Sequence, residues 1–127
     1  MATVKLGNPP KTFKPCTLTI ELPSGEPGAI PVTFKYKTQD EYWEYRDAFF
    51  KALGIQREDR ADTSLPAIAK GSRHRAAEHM MEVIDAWGLD IPLTADSLCD
   101  LFNEVQQSCG ALVDAYQRAC IEGRLGN

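Results

Sequence analysis

Apolar and polar residues alternate in two stretches near the start of the chain. In residues 16–22, CTLTIEL, every second residue from Cys16 is apolar, and residues 32–37, VTFKYK, repeat the pattern from Val32. This alternation predicts two strands that each bury one face and pair as an antiparallel hairpin. Residues 23–31, PSGEPGAIP, are rich in Gly and Pro and predict a long connecting loop that projects as an arm.

After residue 37 the apolar positions recur at steps of three and four residues, which predicts helices. Thr38 and Glu41 have the spacing of a capping box, and Gly54 is the expected stop of the first helix. Strands followed by helices predict an α+β fold. We expect a single domain over 1–127, with a strand pair in 1–37, a helix in 38–54, a linker or mobile loop in 55–71 and a helical part in 72–127. The predicted helices are at about 38–53, 72–87, 95–107 and 111–122.

The stretch AWGLDIPLTADSL, residues 86–98, predicts a corner between the second and third helices. A Trp completes the stripe of the second helix, a Gly ends that helix in the left-handed conformation, an Asp-x-Pro step keeps the chain extended, and a Thr caps the next helix. The residues that specify this structural corner are Trp87, Gly88, Asp90, Pro92 and Thr94.

Composition and charge limit the classes of function. The chain has 127 residues, 43% of them hydrophobic, and a net charge of −4. That charge is divided as +3 in residues 1–37, zero in 38–75 and −7 in 76–127. A concentrated basic surface is needed to bind phosphates, so nucleic acid is not expected as a partner of the acidic half. No segment is apolar enough to cross a membrane or serve as a signal peptide. We therefore expect a cytosolic protein with reduced cysteines and no membrane partner.

Candidate catalytic chemistry is sparse. His74 and His79, the two histidines, are five residues apart, so they point to different faces of a helix and do not form an HExxH zinc site. His74 and Glu78 have the spacing of an exposed ion pair. The sequence therefore predicts no catalytic, cofactor or metal site, and no enzyme. One alternative is a metal-dependent enzyme in which His74 and a cysteine bind zinc.

The C-terminal run VIDAWGLDIPLTADSLCDLFNEVQQSCGALVDAYQRACIEGRLGN resembles the tail assembly chaperones of long-tailed bacteriophages. In that family a helix and a Trp-containing joint precede an acidic-apolar-Pro step, a leucine-rich helix, an AxxxAY helix and a short end in Asn. The matching positions are Trp87, Asp90, Pro92, Leu93, Thr94, Leu98, Leu101, Ala111, Ala115, Tyr116 and Asn127. The Ser-Cys-Gly at 108–110 departs from the pattern, because relatives often have a Pro near the start of the last helix.

The resemblance implies a non-catalytic protein of the bacterial host cytoplasm that is absent from the mature virion. It implies that the protein binds the tape-measure protein, keeps it soluble and helps recruit tail-tube subunits, and it leaves room for a homo-oligomer. A small acidic secretion-type chaperone, or another protein-binding adaptor, is the alternative that shares this composition.

The expected client surface lies on the C-terminal helices, because residues 95–122 hold more apolar positions than one narrow stripe requires. The predicted partner-binding residues are Phe102, Val105, Leu112, Val113 and Tyr116, rimmed by Asp100, Glu104 and Asp114. Trp43, Phe49 and Phe50 are compatible with the core or with an exposed patch, and we expect them in the core.

Overall fold

Three strands and four α-helices make up the fold in the computed structural model, which describes residues 1–58 and 62–125, with side chains described outside 53–58. The elements are β1 (Cys16–Glu21), β2 (Pro27–Phe34), α1 (Gln39–Glu58), α2 (Leu65–Met81), β3 (Ile84–Trp87), α3 (Ala95–Glu104), α4 (Ser108–Gln117) and a π-helical turn (Arg118–Glu122). The predicted α+β class, an N-terminal antiparallel sheet followed by four helices, is confirmed.

The strand order in the sheet is β1-β2-β3, and both pairs are antiparallel. The register between β1 and β2 runs from Cys16 opposite Val32 to Glu21 opposite Pro27. This register places the apolar side chains of both strands on one face, where Leu18 and Ile30 are almost fully buried. The predicted alternation of buried and exposed positions is therefore confirmed.

The hairpin connection is much shorter than the predicted loop at 23–31. The N–H of Leu22 donates to the carbonyl of Glu26, and the turn closes through Gly25, whose φ of 88° suits a residue without a Cβ. Residues 27–31 belong to β2 instead of a projecting arm. Amides of alternate residues point to the same edge of a strand, and the carbonyl of Pro31 accepts from Gly88 on the β3 side. The prolines at 27 and 31 therefore remove no ladder bond to β1.

The predicted helix over 72–87 is wrong from residue 82 onward, because α2 ends at Met81 and residues 84–87 form strand β3. Val83 and Ile84 continue the helical spacing of apolar residues, which is why a longer helix was predicted. Both are buried, but they are β-branched and lie beside the open edge of β2. Backbone pairing with that edge, with Trp87 opposite Val32, replaces the helical hydrogen bonds. Because the paired residues are about 50 positions apart in the sequence, the pattern around residues 84–87 does not indicate this pairing.

The corner at residues 87–94 is present, but it joins β3 to α3 and not two helices. Trp87 is half-buried, and its indole N–H donates to the carbonyl of Ile91 at 2.9 Å. Thr94 caps α3 as predicted: its hydroxyl accepts from the N–H of Ser97 at 3.0 Å, and its own N–H donates to the Ser97 hydroxyl at 2.9 Å. Asp90 is exposed, and the Pro92 carbonyl accepts from the Ser97 hydroxyl.

Gly88 is needed for close approach and not for a left-handed turn. Among the described residues, positive φ angles occur only at Gly7, Gly25 and Gly123, so the predicted conformation of Gly88 is wrong. A Cβ at position 88 would lie 2.9 Å from the Cβ of Pro31, because the Gly88 N–H donates to the Pro31 carbonyl across the sheet edge.

We expect Gly88→Ala to lower the free energy of unfolding by about 1–3 kcal/mol, because the added methyl group forces β3 away from Pro31. Gly110→Ala is the matched control: a Cβ there has no neighbour within 4 Å and the residue lies in α4, so the substitution is expected to stabilise by about 0.5–1 kcal/mol. Denaturant melting measures both changes. Equal effects of the two substitutions would contradict this account of Gly88.

The segment 55–71 is largely helical and is not the predicted linker. Helix α1 begins with the predicted capping box, since the Thr38 N–H donates to Glu41 and the Glu41 N–H donates back to the Thr38 hydroxyl. It continues past the expected stop at Gly54 to Glu58. Helix α2 begins at Leu65, with Ser64 as its N-cap and a Pro in the first turn. Of the predicted linker, residues 59–61 lie outside the described residues, as does Asn127 of the family pattern.

The break between the last two helices lies at residues 105–107 and not at the Ser-Cys-Gly of 108–110. Val105 has extended backbone angles, and Ser108 begins α4 instead of interrupting it. The buried Ser108 hydroxyl lies 2.6 Å from the Val105 carbonyl, to which it can donate. Ser108 thus supplies a side-chain hydrogen bond to a backbone carbonyl at the break.

One hydrophobic core lies between the inner face of the sheet and the helices. Its members come from all three strands and all four α-helices: Leu18, Ile20, Ile30, Val32, Phe34, Tyr42, Ala77, Met80, Ile84, Leu98, Phe102, Leu112 and Tyr116. Among the side chains of α1 that the structure describes, the main buried one is Tyr42. On its described part α1 leaves Trp43 and Phe50 open to solvent.

Candidate partner-binding surface

The residues predicted to bind a partner are mostly part of the core. Phe102, Leu112 and Tyr116 are 5%, 0% and 1% exposed, and Val105 and Val113 are half-buried against the same cluster. The extra apolar positions of 95–122 are used to cover the sheet, so Phe102, Leu112 and Tyr116 are not accessible to a partner in this conformation. A helix packed against a sheet and a second helix at once needs an apolar stripe on more than one side.

Tyr116 is the centre of an aromatic cluster. Its ring centroid lies 5.1 Å from that of Phe34, 5.8 Å from Tyr42 and 5.9 Å from Tyr45. Its hydroxyl donates to the Lys35 carbonyl at 2.8 Å, and burial raises the pKa of this phenol far above its ordinary value. Tyr116 therefore joins α4 to β2 and α1 and has no free face for a partner.

Exposed aromatic side chains lie instead on α1. Trp43 is 52% exposed and Phe50 is 57% exposed, and their spacing of seven residues places them on one side of the helix. Arg46 lies between them, with its guanidinium carbon 5.1 Å from the Phe50 ring centroid. We call Trp43, Arg46 and Phe50 the aromatic face. Large apolar side chains grouped on a surface mark interaction sites more often than isolated ones do.

The Arg46 guanidinium of the aromatic face contacts a buried histidine of α2. Arg46 Nη1 lies 3.0 Å from Nε2 of His79, a residue of α2 that is only 6% exposed. The His79 ring stacks on Tyr45 at 3.9 Å between centroids, with 4° between the planes, and on Phe49 at 4.2 Å. The Tyr45 hydroxyl donates to the His79 carbonyl at 2.6 Å. This stack fixes both α1 and the position of Arg46 before any partner binds.

The electrostatics of the stack agree with this geometry. Burial, together with the Arg46 charge, lowers the pKa of His79 to about 4. At neutral pH the imidazole is therefore uncharged, and its Nε2 can accept a hydrogen bond from Arg46. Burial also raises the pKa of Tyr45, which keeps its hydroxyl as a donor.

Acidic residues border the aromatic face. Asp40 and Asp47 lie three residues before and four residues after Trp43, so they neighbour it on the helix surface. Asp47 forms an exposed ion pair with Lys51 at 2.9 Å, and Glu44 is also exposed. The face thus presents aromatic rings and one guanidinium within a partly acidic border.

Other classes of site find little support in the structure. Among the side chains that the structure describes there is no group of three or more His, Cys, Asp or Glu placed to hold a metal. None of the described helices is long and apolar enough to span a membrane. The predicted ion pair is confirmed, since His74 Nε2 lies 2.9 Å from Glu78 Oε1, and the two histidines do face different ways.

The family model for phage tail assembly chaperones matches residues 1–127. The chain belongs to the phage tail assembly chaperone family. The resemblance of the C-terminal run to that family is confirmed, and the N-terminal sheet is included in the match. Comparison with curated proteins and with solved structures gave no match. A tail assembly chaperone acts on other tail proteins, so the match favours a role in phage tail assembly over the secretion-type alternative.

The chaperone's aromatic face was not predicted because the sequence does not show which apolar positions of α1 are left over once the core is filled. Tyr42, Tyr45 and Phe49 already complete a stripe at steps of three and four residues, although Phe49 is only half-buried and is not a member of the core in which we expected it. Trp43 and Phe50 lie about 80–100° from Tyr42 around the helix. Their position beside a complete stripe is the signal that points to a surface role, and the expectation that both lie in the core is wrong.

Proposed function

We propose that this chaperone binds the tape-measure protein in the bacterial host cytoplasm, keeps it soluble and helps recruit tail-tube subunits, and that it does not enter the mature virion. The observation that carries the proposal is the exposed aromatic face of α1, whose Arg46 contacts both the buried His79 and the Phe50 ring. Trp and Arg are the residue types that most often dominate binding energies. Family membership supports a tail protein as the partner.

The partner segment that suits this face is an amphipathic helix. Such a helix satisfies its own backbone hydrogen bonds and presents an apolar stripe to Trp43 and Phe50. Basic residues beside that stripe would complement Asp40 and Glu44, which are exposed on α1. Contact through a few side chains gives moderate affinity, so the client can be released into the growing tail.

The test is co-expression with the tape-measure protein of the same phage or prophage, followed by pull-down and affinity measurement. We expect the double variant Trp43→Ser, Phe50→Ser to lose about 30-fold to 1,000-fold in affinity, since each ring is an exposed anchor whose removal costs about 1–2 kcal/mol of binding. Both residues are exposed, so circular dichroism should show a folded variant.

Leu65→Ser is the matched control, because Leu65 is 81% exposed at the start of α2 and lies outside the aromatic face. It is expected to keep wild-type affinity. If wild type fails to bind the tape-measure protein, the proposed client is wrong. If wild type binds and the double variant binds equally well, the client is right and the surface is wrong.

A further inference from the structure

The side chain of Arg46 is half-buried, yet its guanidinium has no carboxylate partner in the described part of the chain. Its Nη1 atom lies 3.0 Å from Nε2 of His79, and its guanidinium carbon lies 5.6 Å from the ring centroid of Phe49 and 5.1 Å from that of Phe50. Charged groups that lose part of their hydration are usually paired in proteins. The unpaired charge of Arg46 is therefore available to an acidic group of a binding partner.

Two adjacent donor atoms of this guanidinium remain for a partner. The lowered pKa of His79 leaves the imidazole uncharged at neutral pH, so its contact with Nη1 holds the guanidinium in place without neutralising the positive charge. The Nε and Nη2 atoms of Arg46 have no acceptor among the described residues, and neither atom is fully enclosed by protein. Paired N–H groups of a guanidinium match the two oxygens of a carboxylate.

The aromatic face has the spacing of a coiled-coil seam. Trp43, Arg46 and Phe50 are separated by three and four residues, as are successive core positions of a heptad repeat. A helix that packs along such a seam places one residue against the central position, between the residues that cover the two outer positions. We propose, on the basis of the function proposed above, that the client helix binds Arg46 with one Glu or Asp side chain. Apolar residues of the client on either side of this carboxylate cover Trp43 and Phe50.

The acidic border lies on the side of the face away from Arg46. On a regular helix, the exposed residues Asp40 and Glu44 lie about 120–160° around α1 from Arg46, beyond the two exposed rings. A client carboxylate on Arg46 is therefore remote from these acids, and basic client residues on the other flank can approach them. The expected client pattern is an apolar stripe interrupted by one acid, with basic residues along one side. A base within the stripe is rejected, because it would meet the Arg46 charge.

The experiment measures, by calorimetry, the affinity of the full chain for three synthetic peptides of about 20 residues, long enough to form a helix. Each peptide has a leucine stripe at heptad spacing and lysines on one flank, and the stripe is interrupted once by Glu, Gln or Lys. We expect the Glu peptide to bind about 10-fold more tightly than the Gln peptide, because the hydrogen bonds between two charged groups are lost with Gln. The Glu peptide should bind at least about 30-fold more tightly than the Lys peptide, because like charges meet in the latter.

Three variants separate the charge of Arg46 from its structural role. Arg46→Glu should reverse the order, so that the Lys peptide binds most tightly. Arg46→Gln has no charge but can still donate to His79, and it is expected to bind the Glu and Gln peptides equally. Lys70→Glu is the matched control, because it changes the net charge as Arg46→Glu does, at an exposed residue on the side of α2 opposite His79. It should keep the wild-type order.

The proposal is overturned if wild type binds the three peptides equally or binds none of them. It is also overturned if Arg46→Glu, shown by circular dichroism to be folded, keeps the wild-type order. The pull-down with the tape-measure protein reports separately on the identity of the client. A chaperone that ranks the peptides as expected but does not retain the tape-measure protein would show that the client is wrong and that the carboxylate site is right.

Discussion

Replacing Tyr116 with alanine is expected to lower the free energy of unfolding by about 3–5 kcal/mol, the range for removing a large aromatic side chain from a core. Tyr116 is 1% exposed and packs against rings from β2 and α1, so its loss leaves a cavity that three elements border. Urea or guanidinium melting, monitored by circular dichroism, measures the change in the free energy of unfolding.

Two further variants separate the causes. Tyr116→Phe keeps the ring and removes only the hydroxyl that donates to the Lys35 carbonyl, so a loss of about 1 kcal/mol is expected. Trp43→Ala removes an aromatic ring that is 52% exposed and should change stability by about 0.5 kcal/mol or less. A Tyr116→Ala effect as small as that of Trp43→Ala would show that Tyr116 is not at the centre of the core.

The second large effect is a loss of stability in mild acid that depends on His79. Its pKa is about 4 in the folded protein and about 6.5 in an unfolded chain. Between about pH 6.5 and pH 4, His79 is therefore protonated in the unfolded chain and uncharged in the folded protein. The contribution of His79 to stability is fully present above about pH 6.5 and falls as pH decreases toward 4. The two pKa values correspond to a loss of roughly 3 kcal/mol over this interval.

His79→Gln isolates this contribution, because the amide oxygen can still accept from Arg46 but the side chain does not titrate. Between pH 6.5 and 4 we expect the unfolding free energy of His79→Gln to fall less than that of wild type. The difference between the two decreases is the contribution of His79. Carboxylates titrate alike in both proteins and cancel in the difference. Parallel curves for wild type and His79→Gln would show that His79 is protonated freely in the folded protein.

Features that depend on neighbouring residues were predictable. The capping of α1 by Thr38 and of α3 by Thr94 was predictable because a cap is formed by residues three positions apart. The alternation in β1 and the pairing of β1 with β2 also follow from local pattern, as do the opposite faces of His74 and His79. The family resemblance used the same kind of information, because its motifs are a joint, a cap and two helical stripes.

The sequence by itself thus determined the α+β class, the hairpin, the helix starts at Thr38 and Thr94, and the family. Only the tertiary structure decided that residues 84–87 form a strand, because the partner that stabilises them is β2, about 50 residues earlier. It also decided which apolar residues are covered: Phe102, Leu112 and Tyr116 are buried, while Trp43 and Phe50 are exposed. The physical reason is that capping and periodicity are set within a few residues, whereas burial depends on every element that packs against a face.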